Sequence, residues 1–336
     1  MSRSVKLTVA DVVTETPDAC SLVFDAPEGF DYRPGQFLTV RIPSDRTGSV
    51  ARCYSLASSP HTGEAPKVTV KRTAAGFGSN WLCDNVKRGD TLEVLLPSGL
   101  FTPKNLDDDL LLFAAGSGVT PIMSIVKSAL VRGTGQVALI YANRDPESVI
   151  FAAELDELAA AHPRLTVVHW LETGRGGLPT AAQLAEEARP FVDYQAFLCG
   201  PGPFLDVVHG ALDALGVPRT RVHTEVFTSL TGDPFAGPAE VEADAEGAAT
   251  VDVELDGQVH TLRWPRANTL VDVMLGAGID VPYSCQAGEC GSCMCTLVEG
   301  EVTMDNPEIL DPADIETGYI LGCQAHPATD RLKIEF

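Results

Sequence analysis

Residues 284–293 read SCQAGECGSC, and a fourth cysteine follows at Cys323 in ILGCQA. Cys285, Cys290 and Cys293 are separated by four and then two residues. That is the spacing of a loop that holds a plant-type [2Fe–2S] cluster. The thiolates must converge while backbone N–H groups turn towards the sulfides, and Gly288 and Gly291 permit so close an approach. Structural zinc sites bring their ligands as two close pairs, whereas Cys323 stands alone. A thioredoxin-type reading of Cys290 and Cys293 lacks its βαβ surroundings. The expected metal ligands are therefore Cys285, Cys290, Cys293 and Cys323. Cys295 falls outside the motif on the following strand and is expected in the core.

Working back from this loop, VDVEL and HTLRW flank Asp256–Gly257, a hairpin signal, and a helical run covers 269–275. Hairpin, helix and cysteine loop define an α+β domain over 248–336, expected as a β-grasp. Before it, TSLTGDPFAGPAEVEADAEGAA is rich in Gly, Pro, Ala and acids and has no apolar period. It reads as a linker at 229–247.

The middle of the chain, 105–228, alternates buried strands with helices. LLLFAA, VALIYA, LTVVHW, QAFLCG and VHTEVF read as strands, and 121–131, 148–161, 181–188 and 203–215 as helices. Such alternation predicts an α/β domain with a parallel sheet of nucleotide-binding type. Residues 1–104 carry short strands at 6–13, 21–24, 36–40, 53–57, 68–71 and 91–95, with a helical stretch at 80–85. Six such runs predict an antiparallel barrel, closed or nearly so. The fold class is thus multi-domain, with barrel, parallel-sheet and β-grasp parts and no internal repeat.

Two glycine turns stand out. LLLFAAGSGVTPIMSI puts Gly116 and Gly118 after a buried strand, with Thr120 as expected N-cap and Pro121 at the first helical position. CGPGPF, from Cys199, repeats the arrangement at a later strand end. Parallel sheets bind ligands at those ends. Alone, a two-glycine turn is a weak nucleotide signal, and Cys199 reads equally as a buried thiol. In YANRD, Arg144 suits a 2′-phosphate and Asp145 a free 2′-hydroxyl, so the nucleotide's identity stays open.

RCYSL at 52–56, followed by SSP, resembles the flavin motif of the ferredoxin-reductase superfamily, and the resemblance extends over all three domains. It implies that Arg52 pairs with a flavin pyrophosphate oxygen, that Tyr54 stacks on the isoalloxazine and that Ser55 sits near its N5. Leu56, Val70 and Lys71 complete that set. In VKRTAAGFGSNWL the resemblance assigns the pyrophosphate to Gly78, Ser79 and Asn80, at a helix start near Ser79. A diphosphate site implies FAD over FMN. For the nicotinamide nucleotide it implies Gly116, Gly118, Thr120, Pro121, Asn143, Arg144, Gly200 and Pro201. Cys199 would lie beside the nicotinamide C4, with Glu225 close by and Phe227 near the flavin face. Ser55, Cys199 and Glu225 are the candidate catalytic residues.

Flavin domain, nicotinamide domain and C-terminal ferredoxin in this order resemble the reductase components of bacterial oxygenases. Longer stretches, RCYSLASSP, YANRDPESVIFAAEL and DNPEILDPADIETGYILGCQA among them, are similar to the reductase family of 3-ketosteroid 9α-hydroxylase systems. That resemblance implies steroid degradation, NADH as donor with NADPH left open, and a Rieske-type terminal oxygenase as electron acceptor. The reductase of a phenylacetyl-CoA epoxidase shares the same architecture and is the nearest alternative. A non-catalytic redox carrier or sensor is disfavoured by the intact RCYSL, GSGVTP and CGPGP motifs.

Composition narrows the partners. With 46 acidic against 24 basic residues the net charge is −22, which repels phosphate backbones and anionic lipid and argues against nucleic-acid and membrane partners. Residues 248–336 carry 15 acidic and 4 basic side chains, a net −11, read either as a solvated surface or as a face that steers a basic redox partner. MSRSVKLTVADVV lacks an apolar leader core, no stretch of about 18 apolar residues follows, and the expected location is cytoplasmic. Nine cysteines there stay reduced.

Overall fold

The computed structural model of the protein describes residues 4–45, 47–230, 232–235, 239–241, 246–307, 309–310 and 312–336. They form two compact units: Val5–Pro97 with Phe101–Phe227, and Thr228–Phe336 with Ser98–Leu100.

The first unit begins with β1 (Ser4–Thr16), β2 (Ala19–Asp25), β3 (Phe37–Ser44), β4 (Gly48–Ser55), β5 (Lys67–Lys71), α1 (Phe77–Asn85) and β6 (Thr91–Leu95). Its sheet runs β4-β3-β6-β1-β2-β5, and an antiparallel bridge between Leu56 and Val68 joins the two ends into a barrel. Alternate residues of each strand face one side. Leu38, Val40 and Ile42 of β3 accordingly meet Leu7, Val9, Leu22 and Phe24 in the core, with Leu82 of α1 packed among them. Helix α1 starts two residues before the expected Ser79.

The same unit continues with β7 (Leu110–Ala115), α2 (Val119–Arg132), β8 (Val137–Asn143), α3 (Ala152–Ala161), β9 (Leu165–Leu171), α4 (Glu172–Arg175), α5 (Ala181–Ala188), β10 (Gln195–Cys199), α6 (Gly202–Ala214) and β11 (Val222–Glu225). The sheet order is β11-β10-β7-β8-β9, all parallel. Every residue of β7 and β8 is buried, because helices cover both faces. Leu110, Leu112 and Ala114 of β7 face the core under α2 and α3, and Leu111, Phe113 and Ala115 the core under α5 and α6. Chain order reverses between β7 and β10, which creates a switch-point crevice at their C-terminal ends.

Three expectations need correction here. Residues 148–161 do not form one helix: Asp145 and Ser148 cap each other across a single 3-10 turn at Pro146–Ser148, Phe151 takes a left-handed φ of 63°, and α3 begins only at Ala152. Thr120 is not the N-cap of α2, because a 3-10 turn at Gly116–Gly118 brings the start forward to Val119, with Gly118 as cap. The strand expected over VHTEVF stops at Glu225.

In the second unit β12 (Ala249–Leu255) and β13 (Gln258–Trp264) form the expected hairpin, followed by α7 (Leu270–Gly276), β14 (Met294–Glu299), β15 (Val302–Met304), α8 (Pro312–Glu316), β16 (Tyr319–Leu321), β17 (Ala325–Pro327) and β18 (Arg331–Glu335). The order β13-β12-β18-β14-β16, with β12 and β18 parallel, is a β-grasp. A reciprocal capping box between Thr269 and Asp272 opens α7, whose Leu270, Val271 and Met274 pack against Trp264 and Val253. Cys295 is buried on β14, as expected.

Of the stretch 229–247, residues 231, 236–238 and 242–245 lie outside the described residues. The rest is more than a spacer. Ala239 N–H donates to Asp272 Oδ1 (3.1 Å), Asn268 Nδ2 donates to the Glu240 carbonyl (3.0 Å), and Val241 packs on the β-grasp core.

Candidate flavin, nicotinamide and cluster sites

Strand β4 and helix α1 meet at one point of the barrel. A Cβ on Gly78 would stand 2.9 Å from Ile42 Cδ1 and 3.0 Å from Arg52 Cγ, so the glycine lets the first turn of α1 lie against Arg52 without displacing either side chain. Among the described residues no side chain caps α1. Its first N–H groups and the Arg52 guanidinium could together cradle a diphosphate. The side chains of Ser79 and Asn80 are occupied in the loop itself: Ser79 Oγ accepts from Thr73 N–H (3.1 Å), and Asn80 Nδ2 donates to the carbonyls of Thr73 (3.1 Å) and Gly76 (2.7 Å). These residues thus offer backbone N–H groups to a ligand. Tyr54 is half-buried, and burial pushes its phenol up, which keeps the ring neutral. Leu56 and Val70 are wholly in the core. Lys71 Nζ lies 3.9 Å from Asp18, and the same carboxylate reaches Arg144 at 3.5 Å.

At the switch point the two glycine turns touch. A Cβ on Gly118 would fall 2.1 Å from the Cys199 carbonyl oxygen, and one on Gly200 would fall 3.1 Å from Ala115 Cβ. Gly116 has a left-handed φ of 52° and its carbonyl accepts from the Tyr141 hydroxyl (3.1 Å). Thr120 Oγ1 donates to the Ser117 carbonyl (3.0 Å), which holds the turn closed, and Pro121 follows inside α2. Pro201 caps α6. At the end of β8 the Asn143 amide is buried, and neither its nitrogen nor its oxygen closes a hydrogen bond among the described residues. Arg144 is exposed, and Asp145 Oδ1 is taken by Ser148 N–H (2.9 Å).

Ser55, Cys199 and Glu225 come together although they lie far apart in the chain. Cys199 and Glu225 are paired across β10 and β11, and the Ser55 hydroxyl lies close enough to the Glu225 carboxyl to lower its pKa. Burial pushes Glu225 up to about 8, with the Ser55 hydrogen bond opposing it. Its Oε2 is buried without a hydrogen-bond partner among the described residues. Burial, then the neighbouring Glu225 charge, pushes the Cys199 thiol up. At neutral pH all three are therefore mainly uncharged. Phe227 follows β11 and is exposed. A separate cavity of about 580 Å³, lined by Glu15, Lys67, Phe151 and Glu154 among others, includes none of the expected site residues.

In the second unit the four cysteines converge. Backbone N–H groups of Ala287 and Glu289 point at Cys285 Sγ (3.4 and 3.3 Å), that of Cys285 at Cys290 Sγ (3.5 Å) and that of Cys323 at Cys293 Sγ (3.4 Å). Cys285 Sγ also lies within hydrogen-bonding reach of both Cys290 and Cys323. An all-thiol donor set with inward-facing N–H groups fits a [2Fe–2S] cluster. The sequence reading missed Asp18, Tyr141, Asn306 and Gln324. Each is an ordinary residue of a turn or strand whose role comes from a tertiary partner.

Barrel, parallel sheet and β-grasp with these three sites define a flavin-dependent iron–sulfur oxidoreductase that uses a nicotinamide nucleotide. Family models agree: an oxidoreductase FAD-binding domain matches residues 5–102, an oxidoreductase NAD-binding domain 112–210 and a 2Fe-2S iron-sulfur cluster binding domain 253–328. The 3-ketosteroid-9-alpha-monooxygenase ferredoxin reductase component of Rhodococcus rhodochrous is 68% identical, covering 100% of this chain and 97% of that protein. A component of the 1,2-phenylacetyl-CoA epoxidase of Escherichia coli K12 is 33% identical, covering 100% and 98%. The solved structure of phthalate dioxygenase reductase, described as modular for electron transfer from pyridine nucleotides to [2Fe-2S], superposes with a TM-score of 0.58 at 25% identity over 99% of this chain and 98% of that one. The chain belongs to the family of ferredoxin reductase components of oxygenases. Among the described residues no helix is long and apolar enough to cross a membrane.

Proposed function

We propose that the chain carries electrons from NADH to the terminal oxygenase of a 3-ketosteroid 9α-hydroxylase, an enzyme of Rieske type, in the cytoplasm. The observation that carries this reading is 68% identity along the whole chain to a protein of that system, against 33% to the epoxidase component. FAD, when bound, takes hydride as an electron pair and gives electrons up singly, and the cluster passes them on one at a time.

The division of labour follows the domains: 1–104 for flavin, 105–228 for nicotinamide nucleotide, 229–247 as connection and 248–336 for the cluster. Arg52 and the backbone N–H groups of Gly78, Ser79 and Asn80 hold the diphosphate. Tyr54 stacks against the flavin ring, flanked by Leu56, Val70 and Lys71. The turns carrying Gly116, Gly118, Thr120 and Pro121, and Gly200 and Pro201, seat the nicotinamide nucleotide, while Asn143 and Arg144 take its adenosine end. Asp18 pairs with Arg144 at 3.5 Å and would compete with a 2′-phosphate for it, which supports NADH. Ser55, Cys199 and Glu225 orient the nicotinamide against the flavin without supplying a formal charge at neutral pH. Cys285, Cys290, Cys293 and Cys323 ligate the cluster.

The test is an anaerobic titration of the purified protein with NADH and then NADPH, followed by visible absorption and low-temperature EPR. Reduction by NADH with a rhombic [2Fe–2S] signal is expected, and C285S loses only the signal. Steroid-dependent NADH oxidation must then appear with a 3-ketosteroid oxygenase and not with a phenylacetyl-CoA epoxidase. The reverse pattern overturns the client.

A further inference from the structure

The loop that carries three of the cysteines is held from behind by two amide side chains, Gln324 and Asn306. Gln324 sits between β16 and β17, directly after Cys323, and is only 7% exposed. Its Nε2 donates to the Cys323 carbonyl (2.7 Å) and to the Gln286 carbonyl (3.1 Å), and lies 3.5 Å from Cys323 Sγ. Asn306 Nδ2 donates to the next carbonyl of the loop, that of Ala287 (2.9 Å). Gly288, at φ 75°, packs so tightly on this pair that a Cβ there would stand 2.3 Å from the Asn306 carbonyl oxygen and 3.1 Å from Gln324 Cγ.

The consequence follows from peptide geometry. In a trans peptide the C=O and the N–H point in opposite directions. Fixing the Gln286 carbonyl onto Gln324 therefore turns the Ala287 N–H the other way, towards Cys285 Sγ at 3.4 Å. Gln286 itself adopts a left-handed φ of 54°, a conformation an L residue takes only under constraint. Nε2 carries two hydrogens for three acceptors, so one N–H is shared between a carbonyl and Cys323 Sγ, while the action on Cys285 runs through the peptide plane.

We propose that Gln324 is a positioning residue that raises the reduction potential of the cluster by aiming N–H dipoles at the sulfurs of Cys285 and Cys323. This rests on the cluster reading above. Donors aimed at ligand sulfur stabilise the more negative, reduced state, and the potential of such a centre follows those hydrogen bonds. Removing the donor should leave electrons on the cluster harder to place and easier to lose.

The experiment uses the full-length protein with FAD and cluster in place, comparing wild type with Gln324→Met, which keeps the length and removes the N–H, and Gln324→Lys, which keeps a donor and adds charge. Iron content and an EPR-monitored redox titration are read on all three. At the wild-type midpoint the reduced-to-oxidised ratio of Q324M is expected to fall about tenfold, a shift of ~59 mV for a one-electron couple. Q324K is expected at or above the wild-type ratio. Loss of iron from Q324M alone, with Q324K loaded and at or above the wild-type potential, also supports the role. An unchanged midpoint in Q324M, a fall in Q324K as large as in Q324M, or loss of iron from both overturns it. Wild-type protein with full iron content and no rhombic signal would instead overturn the cluster reading.

Discussion

Replacing Gly118 with alanine is the sharpest test of how the nicotinamide crevice is built. The new Cβ would stand 2.1 Å from the Cys199 carbonyl oxygen, 2.5 Å from its carbon and 2.8 Å from Gly200 N, all backbone atoms that no rotamer change can move. Relieving the first contact to 3.0 Å shifts the start of α2 about 0.9 Å from the end of β10. Overpacking of this kind costs about 1–3 kcal/mol, which for a unit of this size lowers Tm by roughly 2–12 °C. The kinetic effect is larger, because a misplacement of about 1 Å at a reacting centre costs on the order of 100-fold in rate. Arg52, Tyr54 and α1 lie elsewhere in the barrel, so G118A should retain FAD. Stopped-flow reduction by NADH should then slow about 100-fold, while G116A, whose Cβ meets only Lys71 Nζ at 3.5 Å but must hold a left-handed φ of 52°, adds backbone strain without the clash between the two strand ends. Wild-type reduction kinetics in folded, FAD-loaded G118A would refute the argument.

Because Glu225 is pushed up to about 8, the rate of flavin reduction by NADH should titrate near that pH and become flat in E225Q. The stability cost of ionising it is absent below about 4.5 and complete above about 8, so the Tm advantage of E225Q should grow across that window. Lys127, 5% exposed, bridges Glu64 (2.8 Å) and Glu154 (3.0 Å); K127M leaves two part-buried carboxylates and should cost roughly 2 kcal/mol by urea titration. For Glu154, burial raises the pKa but Lys127 and Lys67 outweigh it. The net shift is down, so its contribution is present above the ordinary carboxylate pKa and lost on acidification below it, a loss that K127M should blunt. Cys295→Ser should keep the EPR signal at a modest loss of stability, whereas Cys293→Ser should abolish it.

Most of the architecture was written in local patterns. LLLFAA and VALIYA are continuous apolar runs because both faces of a parallel sheet are covered, and the cysteine spacing follows from how a short loop can present three thiols. Where reading failed, the deciding contact was tertiary. The helix expected over 148–161 broke because Asp145 and Ser148 satisfy each other, which ends the first turn before the periodic residues begin. Gly118 looked like the second glycine of a familiar turn, but its necessity comes from a carbonyl on another strand. Asp18, Gln324 and Asn306 carried no signal, since an acid in a turn and two amides near strand ends are common. The acids and glycines at 229–247 suggested a linker, and Ala239 and Glu240 within it bond to groups at the start of α7, a pairing that composition does not encode.

The same electrostatic logic separates the two halves of the electron path. In the crevice Ser55, Cys199 and Glu225 are buried and mainly neutral at pH 7, and the shifts of the last two come first from desolvation. A neutral wall suits a step in which a nicotinamide gains positive charge as hydride leaves, because a fixed anion there would also repel electron density arriving on the flavin. With its thiol pushed up, Cys199 would contribute shape and not nucleophilicity to the proposed site. At the cluster loop the arrangement is opposite. There, backbone N–H groups of Cys285, Ala287, Glu289 and Cys323 point at the sulfurs of Cys285, Cys290 and Cys293, and the Ala287 N–H is oriented by the Gln324 bond to the other end of its peptide. On the proposed assignment, charge would be kept out of the site that moves electron pairs and stabilised at the site that stores single electrons.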